Sequence, residues 1–482
     1  MPYRNPVGLC QRGIDPSGSP TYVFRNLNPD DPERFSRQFT LSVDGNPPGP
    51  YVHGNQFTLP VGNTATNISI TSTDGTVSAT VTVQPYQLVC TDHNIFHFFH
   101  DPGGTVVWAI GDTTDGTSVQ LLSSTDYFNT YTTVSSWPAV QFLDIYRSMY
   151  IDKFGNIIVG SRPSPIISRD QGATWQQLGF QWMVPNHGVL CPFWNITELE
   201  AQGLLIISEY GDSLVDTQPR GGHRGTFWSF DQNRTHWYLR SVDKGPEGLA
   251  NGFDQSDPTK FGGYFRHIHG YHVNPNMSNI HLMFLGDGAY NGNPDGTPGL
   301  YISQDSGFTW STECLSQYDP NFFYNGPCFV TWWPNGKAFI TSDTADTGHA
   351  YWWGNGPNTG SGPDTWGGPG LNYPAIELQG DVDEECSAPD TPWMGMAVTG
   401  SYETYCSTST NQTGSKELIW RYDGDPNAGG DGGLITVLCE NYLNDPSSFS
   451  TLKWLSGSRG NTIPANSPYF FAAGGRRFPR RT

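Results

Sequence analysis

Ser168-Arg169-Asp170-Gln171-Gly172-Ala173-Thr174-Trp175 decides the reading of this chain, because the same frame returns as Ser303-Gln304-Asp305-Ser306-Gly307-Phe308-Thr309-Trp310. A worn copy stands at Ser124-Thr125-Asp126-Tyr127-Phe128-Asn129-Thr130-Tyr131. The shared frame is S-x-D-x-G-x-T-W. Its Asp can satisfy the backbone donors of a tight turn, its Gly supplies a positive φ, and its Trp offers a broad face to a neighbouring unit. A frame that recurs between short strands marks an array of like units.

The strand signal around these copies is nearly continuous. Runs such as Asn67–Thr71, Val77–Val83, Val106–Ile110 and Asn156–Gly160 alternate or are wholly apolar, and Gly, Asn, Asp and Pro punctuate them. Glu198–Gln202 is the one stretch that reads as a helical turn. Composition agrees. Aromatic residues make up 14% of the 482 residues, and there are 57 Gly and 37 Pro. Gly and Pro break helices while rings favour strands, which excludes a helical bundle or a Rossmann-type enzyme. So many aromatics also exclude a disordered chain.

The frame resembles the Asp-box, found in the turn between the third and fourth strands of β-propeller blades. The fold expected is all-β: a seven-bladed β-propeller with Asp-box turns, forming a single domain over 1–482. A recurring phrase of strand, Asp/Asn-Pro or Gly turn, and strand puts blade starts near residues 93, 144, 187, 266, 328 and 394. The seventh blade, starting near 20, would occupy about 20–90. Segment 452–478 and the N-terminal Tyr3–Cys10 stretch would share a blade and close the ring, hiding open sheet edges.

Charged residues are scarce at 15%, and the net charge of −20 opposes binding to nucleic acid or to anionic membrane. The basic run Arg476-Arg477-Phe478-Pro479-Arg480-Arg481 reads as a solvated tail. No apolar run is long enough to span a membrane. Eight cysteines without a CxxC pair, together with sequons at Asn67, Asn195, Asn233, Asn276 and Asn411, favour an oxidising compartment. A secreted, monomeric protein whose leader is replaced by Met1 is the expectation. Proximity suggests the pairs Cys314–Cys328 and Cys386–Cys406, and Cys10–Cys439 would staple the ring closure.

In a propeller, the starts of the innermost strands and the loops between second and third strands open on one face. Cations and titratable groups at those positions converge. Inner-strand starts supply His93, Tyr146, Arg147, His187, Arg266, His267 and His269; the loops supply Arg162, Arg220 and Arg224. His267 and His269, two apart on a strand, would face one side. His97 and His100, beside the aromatic run Phe96–Phe99, read as core, and Tyr150 reads as either a pocket wall or interior packing. No third ligand at motif spacing accompanies His267 and His269, so a zinc site is not expected. Calcium is a structural candidate, at Asp112–Asp115 or Asp381–Glu385. No other cofactor is required.

Arg, His and Tyr without a paired-carboxylate motif suit the cleavage of a chain at a uronic acid. Cations neutralise the sugar carboxylate, a base removes the C5 proton, and an acid protonates the departing C4 oxygen. The pattern resembles propeller-fold polysaccharide lyases of the ulvan lyase and rhamnose–glucuronate lyase type. Such enzymes carry a Tyr at an inner-strand start and an Arg about sixteen residues later in the following loop. Tyr146 and Arg162 stand at that spacing, and the resemblance implies proton transfer by Tyr146 and carboxylate neutralisation by Arg162. It also implies a histidine from the preceding blade, matched by His93. Arg220 would help hold the carboxylate and His267 would assist. Arg147, Tyr150, His187, Arg224, Arg266 and His269 would shape the pocket for an acidic polysaccharide or oligosaccharide. Two other classes stay open. One is a sialidase-like hydrolase, whose early Phe-Arg-Ile-Pro motif is matched only as Phe24-Arg25-Asn26-Leu27; the other is a propeller that binds glycans or proteins without catalysis.

Overall fold

The fold comes from a computed structural model. It describes residues 7–14, 19–26, 31–33, 36–43, 49–58, 66–83, 86–139, 149–160, 165–178, 193–199, 203–209, 227–240, 267–274, 277–286, 299–303, 327–334, 338–342, 350–353, 376–378, 391–409, 416–422, 434–441, 455 and 462–480. The regular elements among them are strands. Glu198 and Leu199, expected in a helical turn, end a strand instead.

The N-terminal part holds β1 (Val7–Ile14), β2 (Pro20–Asn26), β3 (Phe39–Val43), β4 (Pro50–Tyr51), β5 (Gln56–Thr58), β6 (Thr66–Ser72), β7 (Ser78–Val83) and β8 (Gln87–Leu88). These strands do not form the single blade expected over 20–90. One set pairs as β1-β2-β5 and another as β4-β3-β6-β7. Tyr22 and Phe24 of the first set pack on Phe39, Leu41, Ile68 and Ile70 of the second. Alternating strands bury one face each, so two such sheets close on each other as readily as one sheet joins a ring.

Four-strand meanders follow. The first is β9 (His93–His100), β10 (Val107–Thr113), β11 (Ser118–Ser124) and β12 (Thr132–Pro138). Next come β13 (Met149–Ile151), β14 (Ile157–Val159), β15 (Ile166–Ser168) and β16 (Gln176–Gln177), then β17 (Phe193–Leu199), β18 (Leu204–Glu209), β19 (Phe227–Phe230) and β20 (Trp237–Arg240). β21 (His267–Asn274), β22 (Met277–Gly286) and β23 (Gly299–Ser303) form a three-stranded sheet, and β24 (Pro327–Trp332), β25 (Ala338–Ser342), β26 (Ala350–Trp353) and β27 (Ile376–Leu378) a four-stranded one. β28 (Thr391–Val398), β29 (Thr404–Ser409), β30 (Lys416–Tyr422) and β31 (Leu434–Asn441) complete the series. β32 (Thr462–Ile463), β33 (Tyr469–Ala472) and β34 (Arg476–Pro479) end it.

First strands of successive sheets lie side by side: β9 with β13, β17 with β21, β21 with β24, and β24 with β28. Apolar cores fill the space between sheets. Ile110, Leu121, Tyr150, Ile158, Leu205 and Phe230 join the β9, β13 and β17 sheets in one cluster. Phe329, Tyr405, Ile419 and Phe470 join the β24 and β28 sheets to β33. Phe98 stacks on Phe471, linking β33 back to β9 at 4.8 Å between ring centroids. All-β content and this face-to-face succession of meanders support a β-propeller.

Of the chain ends, β32 and β1 stand in one sheet, ordered β32-β28-β29-β30-β31-β1-β2-β5, in keeping with the expected sharing between 452–478 and Tyr3–Cys10, while β33 and β34 lie in another. β34 pairs with β8, through Arg476 opposite Leu88, while β1 lies parallel to β31, with Gln11 opposite Leu438. The arginine run is therefore no solvated tail. Arg476 and Arg477 are buried in β34, and Arg477 donates to the Tyr127 carbonyl, Asn129 Oδ1 and Gln87. Its guanidinium lies 4.7 Å from the Tyr469 ring centroid. Arg480 bonds three carbonyls, of Pro464, Ala465 and Ser467, and reaches Glu403 at 3.3 Å.

Cysteine pairing also departs from expectation. Cys406 is a buried free thiol, which overturns Cys386–Cys406, and Cys90 is a second one. Burial, reinforced by the Asp92 charge, pushes the Cys90 thiol up to about 12. Cys10 and Cys439 lie on the neighbouring strands β1 and β31. The pair Cys314–Cys328 falls partly outside the described residues.

Candidate functional site

Most of the expected site lies on segments outside the described residues: Tyr146, Arg147, Arg162, His187, Arg220, Arg224 and Arg266 are all there. Their anchors are described. Met149 pairs with Val159 and Val159 with Ile166, so segments 140–148 and 161–164 join the β13 sheet at one end. Phe193 pairs with Glu209 and Ser208 with Phe227, so 179–192 and 210–226 join the next sheet at one end. His267 pairs with Gly286 and Leu285 with Gly299, which gives 251–266 and 287–298 the same arrangement.

His267 and His269 sit on β21, where the register shifts between Ile268 and Gly270. This bulge falls at His269. The strict alternation that would put both imidazoles on one side is interrupted there. Further along the strand Tyr271 and His272 are buried, and Tyr271 Oη lies 2.6 Å from Nδ1 of the fully buried His281. That part of the His-rich segment is interior.

His93 begins β9 and is the one candidate cluster described in full. Its Nδ1 lies 3.0 Å from Asp92 Oδ1 and its Nε2 2.9 Å from Gln120 Oε1. Thr133 Oγ1 donates to the same Gln120 oxygen at 3.2 Å. Tyr131 stands edge-on to the imidazole at 5.8 Å and donates its hydroxyl proton to Asp92. That bond holds the Asp92 carboxyl below its usual range, while burial and the Asp92 contact push the Tyr131 phenol up. Tyr131 thus keeps its proton at neutral pH and serves as a hydrogen-bond donor to Asp92. Both His93 nitrogens are engaged within the protein. Tyr150 resolves to packing: it is 4% exposed and its ring meets Phe99 edge-on at 5.6 Å. A pocket-wall role does not fit that position.

The repeated frame builds the opposite hairpin turns. Asp170 Oδ1 accepts from Thr174 N at 2.8 Å and Oδ2 from Thr174 Oγ1 at 2.6 Å, while Ser168 Oγ accepts from Gly172 N at 2.7 Å. These bonds hold the Asp170 carboxyl down at about 2. Gly172 has φ +94°, and a Cβ there would meet Val134 of the neighbouring sheet at 2.4 Å. Trp175 Nε1 donates to Ser135 Oγ on that sheet at 3.0 Å, and its ring packs on Trp137. The worn copy makes the same bonds: Thr130 N to Asp126 Oδ1 at 2.9 Å and Phe128 N to Ser124 Oγ at 2.7 Å. Tyr127 and Phe128 there take positive φ of 58° and 63° without a glycine. The third copy, beyond Ser303, lies outside the described residues.

One constellation escaped the sequence reading. Arg234, 3% exposed, bonds Asp152 Oδ2 at 3.0 Å and Glu198 Oε1 at 2.8 Å, both carboxylates being buried. Backbone donors finish the set: Phe154 N and Asn156 N on Asp152, and Lys153 N on Glu198, each at 2.9 Å. Three turns from two adjacent sheets meet in this network. Ser229-Phe230-Asp231-Gln232-Asn233-Arg234-Thr235 was the available signal, a copy of the frame with Asn where Gly stands. Thr235 N indeed donates to Asp231 Oδ1 at 2.7 Å.

Among the described residues no three His, Cys, Asp or Glu side chains gather as a metal site. Asp115 Oδ1, in one candidate calcium loop, accepts from Thr113, Thr117 N and Thr117 Oγ1. The other loop, Asp381–Glu385, lies outside the described residues. No helix among the described residues is long and apolar enough to cross a membrane.

No protein-family model matches the chain, and no curated protein does. Among solved structures it is similar to an ancestral GH74 enzyme, with 11% identity and a TM-score of 0.46, over 82% of this chain and 45% of that one. It is similar to the hydrazine synthase of Kuenenia stuttgartiensis, with 10% identity and a TM-score of 0.45, over 83% and 99%. A third is the β-propeller domain of the trilobed protease of Pyrococcus furiosus, with 9% identity and a TM-score of 0.37, over 89% and 97%. Likenesses this distant bear on neither activity nor substrate.

Proposed function

We propose that the chain is a secreted, monomeric, seven-bladed propeller with Asp-box turns that cleaves an acidic polysaccharide at a glucuronate residue by β-elimination. What supports this reading is where the cations fall in the sequence, next to strands whose pairing is described. In sequence, the stretches with Tyr146 and Arg162, His187 with Arg220 and Arg224, and Arg266 adjoin the paired strand ends Met149–Val159, Phe193–Glu209 and His267–Gly286. In a propeller those ends share a face. Arg162 and Arg220 would neutralise the sugar carboxylate, making the C5 proton acidic enough to remove. Tyr146 would take that proton and, acting as acid, return one to the C4 oxygen as the C4–O bond breaks. His267 would assist. A rhamnose cap on the glucuronate would suit aromatic rings with its methyl group. No metal enters the chemistry, and calcium is kept as a structural ion.

His93 is better suited to positioning than to proton transfer, because both its nitrogens are already bonded. That same observation favours a second reading, a propeller that binds glycans without cutting them. One assay separates the readings. Elimination leaves a C4–C5 double bond that absorbs ultraviolet light. The expected outcome is rising absorbance on a glucuronate polymer or a rhamnose-capped glucuronate side chain, lost in Tyr146→Phe. Reducing ends released without absorbance would point to a hydrolase, and binding without products to the second reading. Activity retained in Tyr146→Phe would refute the base assignment.

A further inference from the structure

We propose that Asn67 is an N-glycosylation site and that its glycan shields an uncharged sheet edge from self-association. The proposal rests on the extracellular reading above. Strand β6 alternates strictly: Ile68 and Ile70 are fully buried, while Asn67, Ser69 and Thr71 are exposed. The acceptor Asn67 and the hydroxyl of Ser69 that completes the sequon therefore stand together on the solvent face. The other described sequons differ. Thr197, the hydroxyl partner of Asn195, is buried at 8% exposure within β17. Between Asn233 and Thr235 sits Arg234, held at φ 57° and locked onto Asp152 and Glu198. Asn276 and Asn411 lie outside the described residues.

The surroundings of Asn67 give the glycan a purpose. Among the described residues β7 is the edge of its sheet, paired only with β6. Neither strand holds a charged residue: they read Thr-Asn-Ile-Ser-Ile-Thr-Ser and Ser-Ala-Thr-Val-Thr-Val. The exposed face carries Asn67, Ser69, Thr71, Ser78 and Thr80. Natural edge strands are commonly blunted by charge, proline or a bulge, and the β6–β7 register runs without a bulge from Thr66–Val83 to Thr71–Ser78. Asn67 lies directly opposite Thr82 of the edge strand. A bulky, hydrated glycan there would stop a second sheet from docking. In the transfer the Asn67 amide nitrogen forms a bond to the anomeric carbon of a polyprenyl diphosphate-linked oligosaccharide. The carbon–oxygen bond to the diphosphate breaks, polyprenyl diphosphate leaves, and the amide gives up one proton.

The test is expression of the full chain behind a eukaryotic secretory leader, which imposes entry into the glycosylating compartment whatever the native destination. Endoplasmic reticulum and medium are both assayed, so a chain that is not exported is still scored. Peptide-N-glycosidase should remove mass and convert the modified asparagine at position 67 to aspartate. Asn67→Gln and Ser69→Ala should each lose that modification. Asn67→Gln should sediment as oligomers severalfold more abundant than in the wild type, and adding Ser69→Lys should return it to monomer. An unmodified Asn67 in the translocated chain, or an Asn67→Gln variant as monodisperse as the wild type, would overturn the proposal. Native export is a separate question, answered by looking for the chain in the medium of its own source.

Discussion

Arg234 ties turns of two neighbouring sheets together through Asp152 and Glu198. It holds φ 57°, a position that Gly fills in comparable turns at Gly104, Gly116 and Gly155. A non-glycine there costs roughly 1–2 kcal/mol. The compensation is the buried pair of carboxylates, each of which also accepts backbone or side-chain donors. Removing the cation would take from the buried Asp152 and Glu198 the ion pairs that Arg234 makes with them, a loss that typically costs about 3–5 kcal/mol. Arg234→Ala should therefore lower the urea midpoint strongly with little change in slope. Arg234→Gly should recover only about 1 kcal/mol by relieving the backbone. A midpoint for Arg234→Ala equal to that of the wild type would show that the network contributes nothing to holding the two sheets together.

Strand β34 makes the matching case for an element. Pairing with β8 puts Arg477 under the turn built on Asp126, where it satisfies the Tyr127 carbonyl. Arg477→Ala should destabilise the protein by roughly 2–3 kcal/mol, the range for hydrogen bonds made by a charged group. Arg477→Lys should rescue little, since an ammonium cannot span Tyr127, Asn129 and Gln87 with a planar fork. Equal unfolding midpoints for the two variants and the wild type would show that Arg477 does not hold β34 in place. The sequence could not show this, because charge composition is local and the partner strand lies nearly 390 residues earlier. First strands begin at His93, Met149, Phe193, His267, Pro327 and Thr391, each after a stretch of turn residues. Segment 20–90 was misread for a related reason. A period of two says that a strand buries one face and is silent on which sheet covers it. The same ambiguity let Tyr150 stand as a pocket residue. For the cations, spacing gives an order along the chain and not a side-chain position, since loop conformation is not encoded in spacing.

At the scale of the molecule, acid should loosen the seam between β9 and β33 before it dissolves the turns. His100 is fully buried where β9 meets β33, its ring 5.5 Å from that of Phe471. Burial, aided by the positive charge of Arg480, pushes its imidazole down to about 3. In the unfolded chain the same group titrates near 6.5. Between about 6.5 and 3 the unfolded state therefore holds a proton that the folded state refuses, and stability falls as pH falls. The expected slope is up to about 1.4 kcal/mol per pH unit. Above 6.5 both states are neutral and the contribution is flat. The turn carboxylates act later. Asp170 is held at about 2, so its stabilisation is complete above the ordinary carboxylate range and is lost only as pH drops through that range toward 2. Unfolding free energy measured from pH 8 to pH 3 should thus be level, then decline below 6.5, then steepen below about 4. His100→Phe keeps a ring of similar shape without the titration. Its curve should run parallel to the wild type above 6.5 and fall less steeply beneath it. Parallel curves over the whole range would mean that His100 takes up its proton without opening the seam between β9 and β33.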